Sequence, residues 1–171
     1  MTRKEILISG FGGQGIVTAG RILGHASTLQ GLSAAMLVSH GTETRGGYVR
    51  SQVVISEEAI DSPIVEKPNI FCAMSQAAYN RFFGISRNGV ILYDPDLVKR
   101  IGPPSPTYLA IHAGAAAREL GIPMSANMVM LGAILRTLGM ISDECMKDAI
   151  AAISPRFTEL NLMAFEAGYR T

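Results

Sequence analysis

The sequence has little sulfur chemistry, with only two cysteines, Cys72 and Cys145, and it has no tryptophan. The two cysteines are far apart and neither belongs to a C-x-x-C pair, which argues against a disulfide framework of the secreted type. An iron–sulfur cluster normally needs four thiolates, so this chain cannot hold one alone. No pair of His or carboxylate residues has metal-ligand spacing either, and we therefore expect no metal site.

The chain also lacks an excess of charge of either sign and any long apolar run. Fifteen Lys and Arg stand against fourteen Asp and Glu, a formal net charge of +1, so no broad field favours nucleic acid or a lipid surface. No apolar stretch reaches the ~20 residues that span a bilayer, and no charged segment leads into a signal-like apolar region. We expect a cytoplasmic protein with neither nucleic acid nor membrane as partner.

The residues that are present suit one folded domain. Of 171 residues, 48% are hydrophobic and 17% are charged, proportions that are too apolar for disorder. No repeat, low-complexity tract or linker divides the chain, so residues 1–171 are expected to form a single domain. Nine Met are consistent with surface covered by partner subunits and equally with an ordinary core.

The order of apolar segments predicts a three-layer, Rossmann-like α/β fold with a mostly parallel sheet flanked by helices. Residues 5–10, 14–29 and 32–39 are typical of a strand, a helix and a buried strand, which together form a βαβ unit. The alternating segment 48–56 predicts another strand, placed toward an edge because both its faces mix polar and apolar residues. Further strands are predicted at 69–74, 88–95 and 107–113, and further helices at 75–83, 115–120, 125–138, 141–153 and 155–168. Ser75 and Ser142 are expected to cap the helices that begin at these residues.

Three glycines, Gly10, Gly12 and Gly15, fit the pattern G-x-G-x-x-G directly after a strand and before a helix. In this context the turn presents the unpaired N–H groups of a helix start to an anion, although a close-packed turn without ligand has the same pattern. Dinucleotide binding would need an acid at the end of the second strand. That strand ends at Ser39 and His40, so we expect neither NAD nor NADP.

A second glycine-containing loop, TETRGG, follows the second strand. It places Glu43 and Arg45 at the carboxyl edge of the sheet, where open α/β sheets bind ligands. An Arg can contact a phosphate or carboxylate with two donors. An Arg–Glu pair that only braces the loop is an equally good interpretation of the residues.

Beyond these patterns, the chain resembles a known family from Ile6 to Gly168. The segments GFGGQGIVTAGRILG, TETRGG with Arg50, DSPIVEKPNI and ANMVMLGAIL, followed by Asn161, are similar to the landmarks of the gamma subunit of 2-oxoacid:ferredoxin oxidoreductases. The same module resembles one domain of single-chain pyruvate:ferredoxin enzymes and part of the indolepyruvate enzymes.

This resemblance implies an enzyme complex that decarboxylates a 2-oxoacid oxidatively, forms an acyl-coenzyme A and reduces ferredoxin. It implies that thiamine diphosphate, Mg and iron–sulfur clusters lie on alpha, beta and delta-type partner subunits, that ferredoxin is reached through the complex, and that the isolated chain is inactive. Among substrates, 2-oxoglutarate is favoured over pyruvate and branched-chain oxoacids. The alternatives are an indolepyruvate oxidoreductase subunit and a free-standing nucleotide- or flavin-binding Rossmann-like protein.

For the site, we expect no catalytic residue in this chain, and we expect the two glycine loops to face coenzyme A or a subunit interface. Asn127, in the apolar helix, either bonds a loop or touches the ligand. We also expect that the isolated chain can form a homodimer through surface that it hides in the complex. The candidate cofactor-binding residues are Gly10, Gly12, Gly13, Gln14, Gly15, Glu43, Arg45, Gly46, Gly47 and Asn127.

Overall fold

The computed structural model describes residues 2–41, 47–102 and 107–171. The strands are β1 (Arg3–Gly10), β2 (Ser33–His40), β3 (Val49–Ser56), β4 (Ile70–Ala73), β5 (Val90–Tyr93) and β6 (Thr107–Ala110). The helices are α1 (Ile16–Leu29), α2 (Gln76–Phe82), α3 (Ala113–Glu119), α4 (Ala126–Leu138), α5 (Asp143–Ile153) and α6 (Thr158–Arg170). Short 3₁₀ turns occupy Phe83–Ile85, Pro123–Ser125 and Pro155–Phe157.

All six strands belong to one mixed sheet, in the order β2-β3-β1-β4-β5-β6. Strands β1, β4, β5 and β6 are joined by parallel pairs. Strand β3 is antiparallel to both β1 and β2, so β2 runs in the same direction as β1. The mostly parallel α/β fold predicted from the sequence is therefore confirmed.

The positions predicted for β2 and β3 are wrong. Strand β3 lies between β2 and β1, inside the sheet, and β2 forms an edge and is only half-buried. Ser51 and Gln52 of β3 are buried even though they are polar. The Gln52 side chain accepts a hydrogen bond from the Val65 N–H at 3.0 Å, and Ser51 packs against Gly20 of α1. The βαβ unit expected at the start of the chain thus has β3 inserted between its two strands.

The helices cover the two faces of the sheet unequally. One face packs against α1 and α4, and α5 and α6 lie outside these two helices. The other face packs against α2 and the loops beside it. Helix α4 is buried nearly all round, as expected for its apolar sequence. Gly132 and Gly168 let α4 and α6 approach, since a Cβ at either would collide with the backbone of the other helix.

Local capping explains where two of the helices begin. The Ser75 side chain accepts a hydrogen bond from the Ala78 N–H at the start of α2, and Ser142 accepts one from the Cys145 N–H at the start of α5. Both caps were predicted from the sequence. Within the described ranges, no helix is long and apolar enough to cross a bilayer.

Candidate functional site

The candidate site lies at the carboxyl edge of the parallel strands. After β1 the chain passes through α1 to β2 on one side of the sheet, whereas β4, β5 and β6 extend on the other side. The strand order therefore reverses between β1 and β4, and open α/β sheets bind ligands at such a switch point. The glycine turn after β1 lies at this position.

The turn is held by the side chain of Gln14. Its Oε1 accepts a hydrogen bond from the Phe11 N–H at 2.6 Å, and its Nε2 donates to the Met74 carbonyl oxygen, just beyond β4, at 2.8 Å. A Cβ at Gly10 would collide with this amide. Gln14 thus ties the turn to the end of β4, and both ends of its amide are used within the protein.

The outer part of the turn is open. A Cβ at Gly12 or Gly13 would meet no atom within 4 Å, and both residues are exposed. Helix α1, which follows, has no side-chain cap and no acidic residue in its first turn. No side chain therefore caps its first N–H groups, and the helix dipole favours negative charge at this end.

Asn127 supports the turn from the side of α4. This residue is 6% exposed, and its Nδ2 donates a hydrogen bond to the Gly15 carbonyl oxygen at 3.3 Å. Gly15 has φ +74°, and a Cβ there would collide with the Asn127 amide. Of the two roles considered for Asn127, the structure shows the contact with the loop.

A cleft of about 230 Å³ opens between the glycine turn and the first turns of α3 and α4. Met74, Met124 and Met130 make much of its wall apolar, and Asp94 and Arg118 supply charge. The sequence did not single out these charged residues, because they follow different strands and share no motif. Asp94 directly follows β5, whereas Arg118 lies in the last turn of α3, so only the packing of the fold brings the two together.

Asp94 belongs to a polar cluster that organises the start of α3. It is 1% exposed, and its carboxylate accepts hydrogen bonds from the Asp96 N–H at 3.0 Å and the Gly114 N–H at 2.8 Å. Asp96 lies 3.8 Å from a ring nitrogen of His112 and 4.0 Å from the Arg118 guanidinium.

Oxygen and nitrogen atoms of Asp94, Asp96 and His112 lie within 4.8 Å of one another, a grouping that spacing in the sequence could not reveal. Both Asp94 oxygens already accept backbone N–H groups, so we interpret this grouping as a helix cap beside a surface Asp96–Arg118 ion pair. The expected lack of a metal stays a prediction.

Most of the second loop, with Glu43, Arg45 and Gly46, lies outside the described residues, and Gly47 lies two residues before β3. Gly41 N–H donates to the Tyr48 carbonyl oxygen at 2.7 Å, so the base of this loop is fixed at the same edge of the sheet. That the two loops share a ligand stays a prediction.

The comparisons with known proteins point to one family. Residues 5–171 match the family described as pyruvate ferredoxin/flavodoxin oxidoreductase. The chain is 45% identical to subunit KorC of 2-oxoglutarate synthase from Methanocaldococcus jannaschii, over 98% of this chain and 92% of that protein.

Two solved structures have a similar fold. A gamma subunit of a keto/oxoacid ferredoxin oxidoreductase from Geobacter sulfurreducens superposes with a TM-score of 0.86 at 32% identity, covering 98% of this chain and 96% of that one. The second is the 2-oxoglutarate:ferredoxin oxidoreductase from Magnetococcus marinus, solved with 2-oxoglutarate, coenzyme A and succinyl-CoA bound. It superposes with a TM-score of 0.86 at 26% identity, covering 99% of this chain but 31% of that chain. The resemblance to oxidoreductase gamma subunits is thus confirmed, and the chain belongs to the pyruvate ferredoxin/flavodoxin oxidoreductase family.

Proposed function

We propose that this chain is the gamma subunit of a 2-oxoglutarate:ferredoxin oxidoreductase. The observation that carries the proposal is the 45% identity to a 2-oxoglutarate synthase subunit over nearly the whole of both chains. The Magnetococcus marinus enzyme with the same fold over this region also has 2-oxoglutarate bound. The complex would convert 2-oxoglutarate and coenzyme A to succinyl-CoA and carbon dioxide, passing the released electron pair to ferredoxin.

The cysteine content of this chain indicates that the redox cofactors are bound by other subunits of the complex. Its two cysteines, Cys72 and Cys145, are too few for a cluster of the usual kind. Thiamine diphosphate, Mg and the iron–sulfur clusters are therefore assigned to alpha, beta and delta-type subunits in the cytoplasm. The matched region covers only 31% of the Magnetococcus marinus chain. This supports the proposal that parts joined in that one chain are separate subunits here.

We assign the glycine turn to the coenzyme A side of the complex. Coenzyme A carries several phosphate charges on a long, partly apolar molecule. The open surface at Gly12 and Gly13, the uncapped start of α1 and the apolar cleft beside Arg118 fit these properties. When bound, coenzyme A would accept the acyl group, and this chain's residues would only position it.

The experiment uses the complete complex and compares two glycines whose Cβ positions are both open. Gly12 has no positive φ and Gly24 lies within α1, and a Cβ at either would meet nothing within 4 Å. Gly12→Leu places bulk where a ligand would approach the turn, so we expect the KM for coenzyme A to rise about tenfold or more while the KM for 2-oxoglutarate stays unchanged. Gly24→Leu is the matched control.

An unchanged KM for coenzyme A in Gly12→Leu would contradict the assignment of the glycine turn to coenzyme A binding. Arg45→Ala extends the test to the second loop, where the lost guanidinium should raise the same KM. The substrate is tested separately, by assaying the wild-type complex against 2-oxoglutarate, pyruvate, branched-chain 2-oxoacids and indolepyruvate. A preference for any acid other than 2-oxoglutarate would overturn the substrate proposal but not the family.

A further inference from the structure

Strand β2 forms a long edge of the sheet that has no strand partner within the described ranges. All eight of its residues pair with β3 in one uninterrupted antiparallel register, from Ser33 opposite Ser56 to His40 opposite Val49. The sequence of β2, SAAMLVSH, contains no Pro, Asp, Glu, Lys or Arg. Natural edge strands are usually short, charged, bulged or interrupted by proline, because an unprotected edge pairs with other strands.

The alternation of the ladder shows which backbone groups face outward. Gly41 N–H donates to the Tyr48 carbonyl oxygen, so residues with odd numbers in β2 direct their N–H and C=O groups to β3. Residues with even numbers direct theirs away from the sheet. The outward set is Ala34, Met36, Val38 and His40.

Leu37 lies at the centre of the strand, between Met36 and Val38, whose backbone groups face outward. Its side chain is 38% exposed and points to the face of the sheet opposite α1, since Met36 packs into the core on the α1 side. The edge therefore offers backbone donors and acceptors on both sides of one exposed apolar side chain. No charged residue within the strand would oppose a second strand of the same sequence.

We propose that β2 is an interface between two copies of this chain, which pair antiparallel about Leu37 to form one continuous sheet. In this register Ala34 faces His40 of the second copy and Met36 faces its Val38. All four outward residues then form hydrogen-bonded pairs, giving about eight backbone hydrogen bonds. The two Leu37 side chains meet on the two-fold axis as a non-hydrogen-bonded pair, in which side chains lie closest.

A second copy fits this edge better than an unrelated strand because the edge is self-complementary. A two-fold axis perpendicular to the sheet through Leu37 places the same face of both copies on the same side of the joined sheet. The exposed face of one copy therefore continues as the exposed face of the other. The formal net charge of the chain is only +1, so self-association meets little electrostatic repulsion. This inference is independent of the proposed function.

The first test compares the two edges of the sheet with the same substitution. Leu109 of the other edge strand, β6, is also 38% exposed, which makes Leu109→Lys a matched control for Leu37→Lys. Sedimentation velocity on the purified wild-type chain should show a monomer–dimer equilibrium with a dissociation constant on the order of 10 µM, as expected for a small interface. Leu37→Lys opposes two ammonium groups and should weaken dimerisation about tenfold or more, whereas Leu109→Lys should not.

The second test fixes the register and does not depend on how well a lysine is tolerated. In a Cys145→Ser background, Leu37→Cys should form a disulfide-linked dimer on mild oxidation, because non-hydrogen-bonded partners have Cα atoms about 4.5 Å apart, within disulfide range. Leu109→Cys should remain a monomer on a non-reducing gel. A wild-type chain that stays monomeric at high concentration, or a dimer that is unaffected at position 37 in both tests, would overturn the proposal.

Discussion

The Asn127 side chain donates a hydrogen bond to the Gly15 carbonyl oxygen and fills the space that a side chain at Gly15 would need. The two residues are 112 positions apart in the chain, and this contact joins the glycine turn to the first turn of α4. Since α4 is buried between the sheet and α6, the turn is fixed from the interior of the protein.

Gly15→Ala should therefore destabilise the chain for two reasons. Its φ of +74° is a left-handed conformation that costs a side chain about 1 kcal/mol or more, and its Cβ would in addition collide with Asn127. We expect a total loss of about 2–4 kcal/mol, measured by urea unfolding.

Gly13→Ala separates these two costs. Gly13 has φ +87°, but its Cβ would meet nothing within 4 Å, so only the backbone cost of about 1 kcal/mol should appear. In an Asn127→Ala background, the loss caused by Gly15→Ala should shrink toward that of Gly13→Ala. Equal losses for Gly15→Ala in both backgrounds would show that the contact with Asn127 does not matter.

Gln14→Ala should affect both stability and the assigned ligand. The substitution leaves the Phe11 N–H and the Met74 carbonyl oxygen without their partner, for a loss of about 1–3 kcal/mol. Because the turn is then no longer tied to β4, the KM for coenzyme A in the complete complex should rise.

Gln30→Ala provides the control for this change. Gln30 also makes a side-chain hydrogen bond to backbone, accepting from the Ser142 N–H at 2.9 Å, but it lies at the far end of α1. A loss of stability without a change in the KM for coenzyme A is expected there. If both variants change that KM equally, the effect of Gln14 comes from stability alone.

Asp94→Asn should cost much more than the same change two residues later. Asp94 is buried and its two oxygens accept two backbone N–H groups, whereas an asparagine offers one oxygen and turns an NH₂ group toward the other donor. We expect a loss of about 1–3 kcal/mol in thermal or urea unfolding. Asp96→Asn, whose side chain is 51% exposed, should change stability by about 0.5 kcal/mol or less. Similar losses for both variants would contradict the capping role of Asp94.

The elements predicted from the sequence were those whose local signals agree with their tertiary environment. The glycine turn, the serine caps at Ser75 and Ser142 and the all-apolar helix α4 each combine a periodic pattern with a start or stop residue. Such signals depend on neighbouring residues along the chain. The structure therefore reproduces them within a few residues.

The order of β2 and β3 could not be derived in this way, because strand order depends on contacts between distant residues. Gln52 resembles a solvent-facing residue in the sequence, but in the fold it accepts the Val65 N–H and is buried. Asp94 and Arg118 likewise reach one cleft only through the packing of β5 and α3. No local pattern encodes either relationship.

Cys72 should make the fold less stable as the pH rises above about 9. Burial in β4 raises the pKa of this thiol from its ordinary value of 9.0 to about 12. Burial likewise raises the pKa of Tyr79, whose hydroxyl also hydrogen-bonds to Tyr108, from 10.0 to about 12. In the unfolded chain these groups lose their protons near pH 9 and 10, while the folded protein retains them to about pH 12. The free energy of unfolding is therefore unaffected by these groups below pH 9 and falls as the pH rises from 9 to about 12.

The expected slope is about 1.4 kcal/mol per pH unit for each group inside its window. Cys72→Ala should lower stability at pH 7 by about 1 kcal/mol through the small cavity it leaves, but it should make the decline above pH 9 shallower. Urea unfolding at several pH values between 7 and 11 measures both effects. A thiol reagent at neutral pH gives an independent check, since half-exposed Cys145 should react in the native protein while Cys72 should react only after unfolding. Two reactive thiols in the native chain, or an unchanged slope in Cys72→Ala, would contradict this account of the buried thiol.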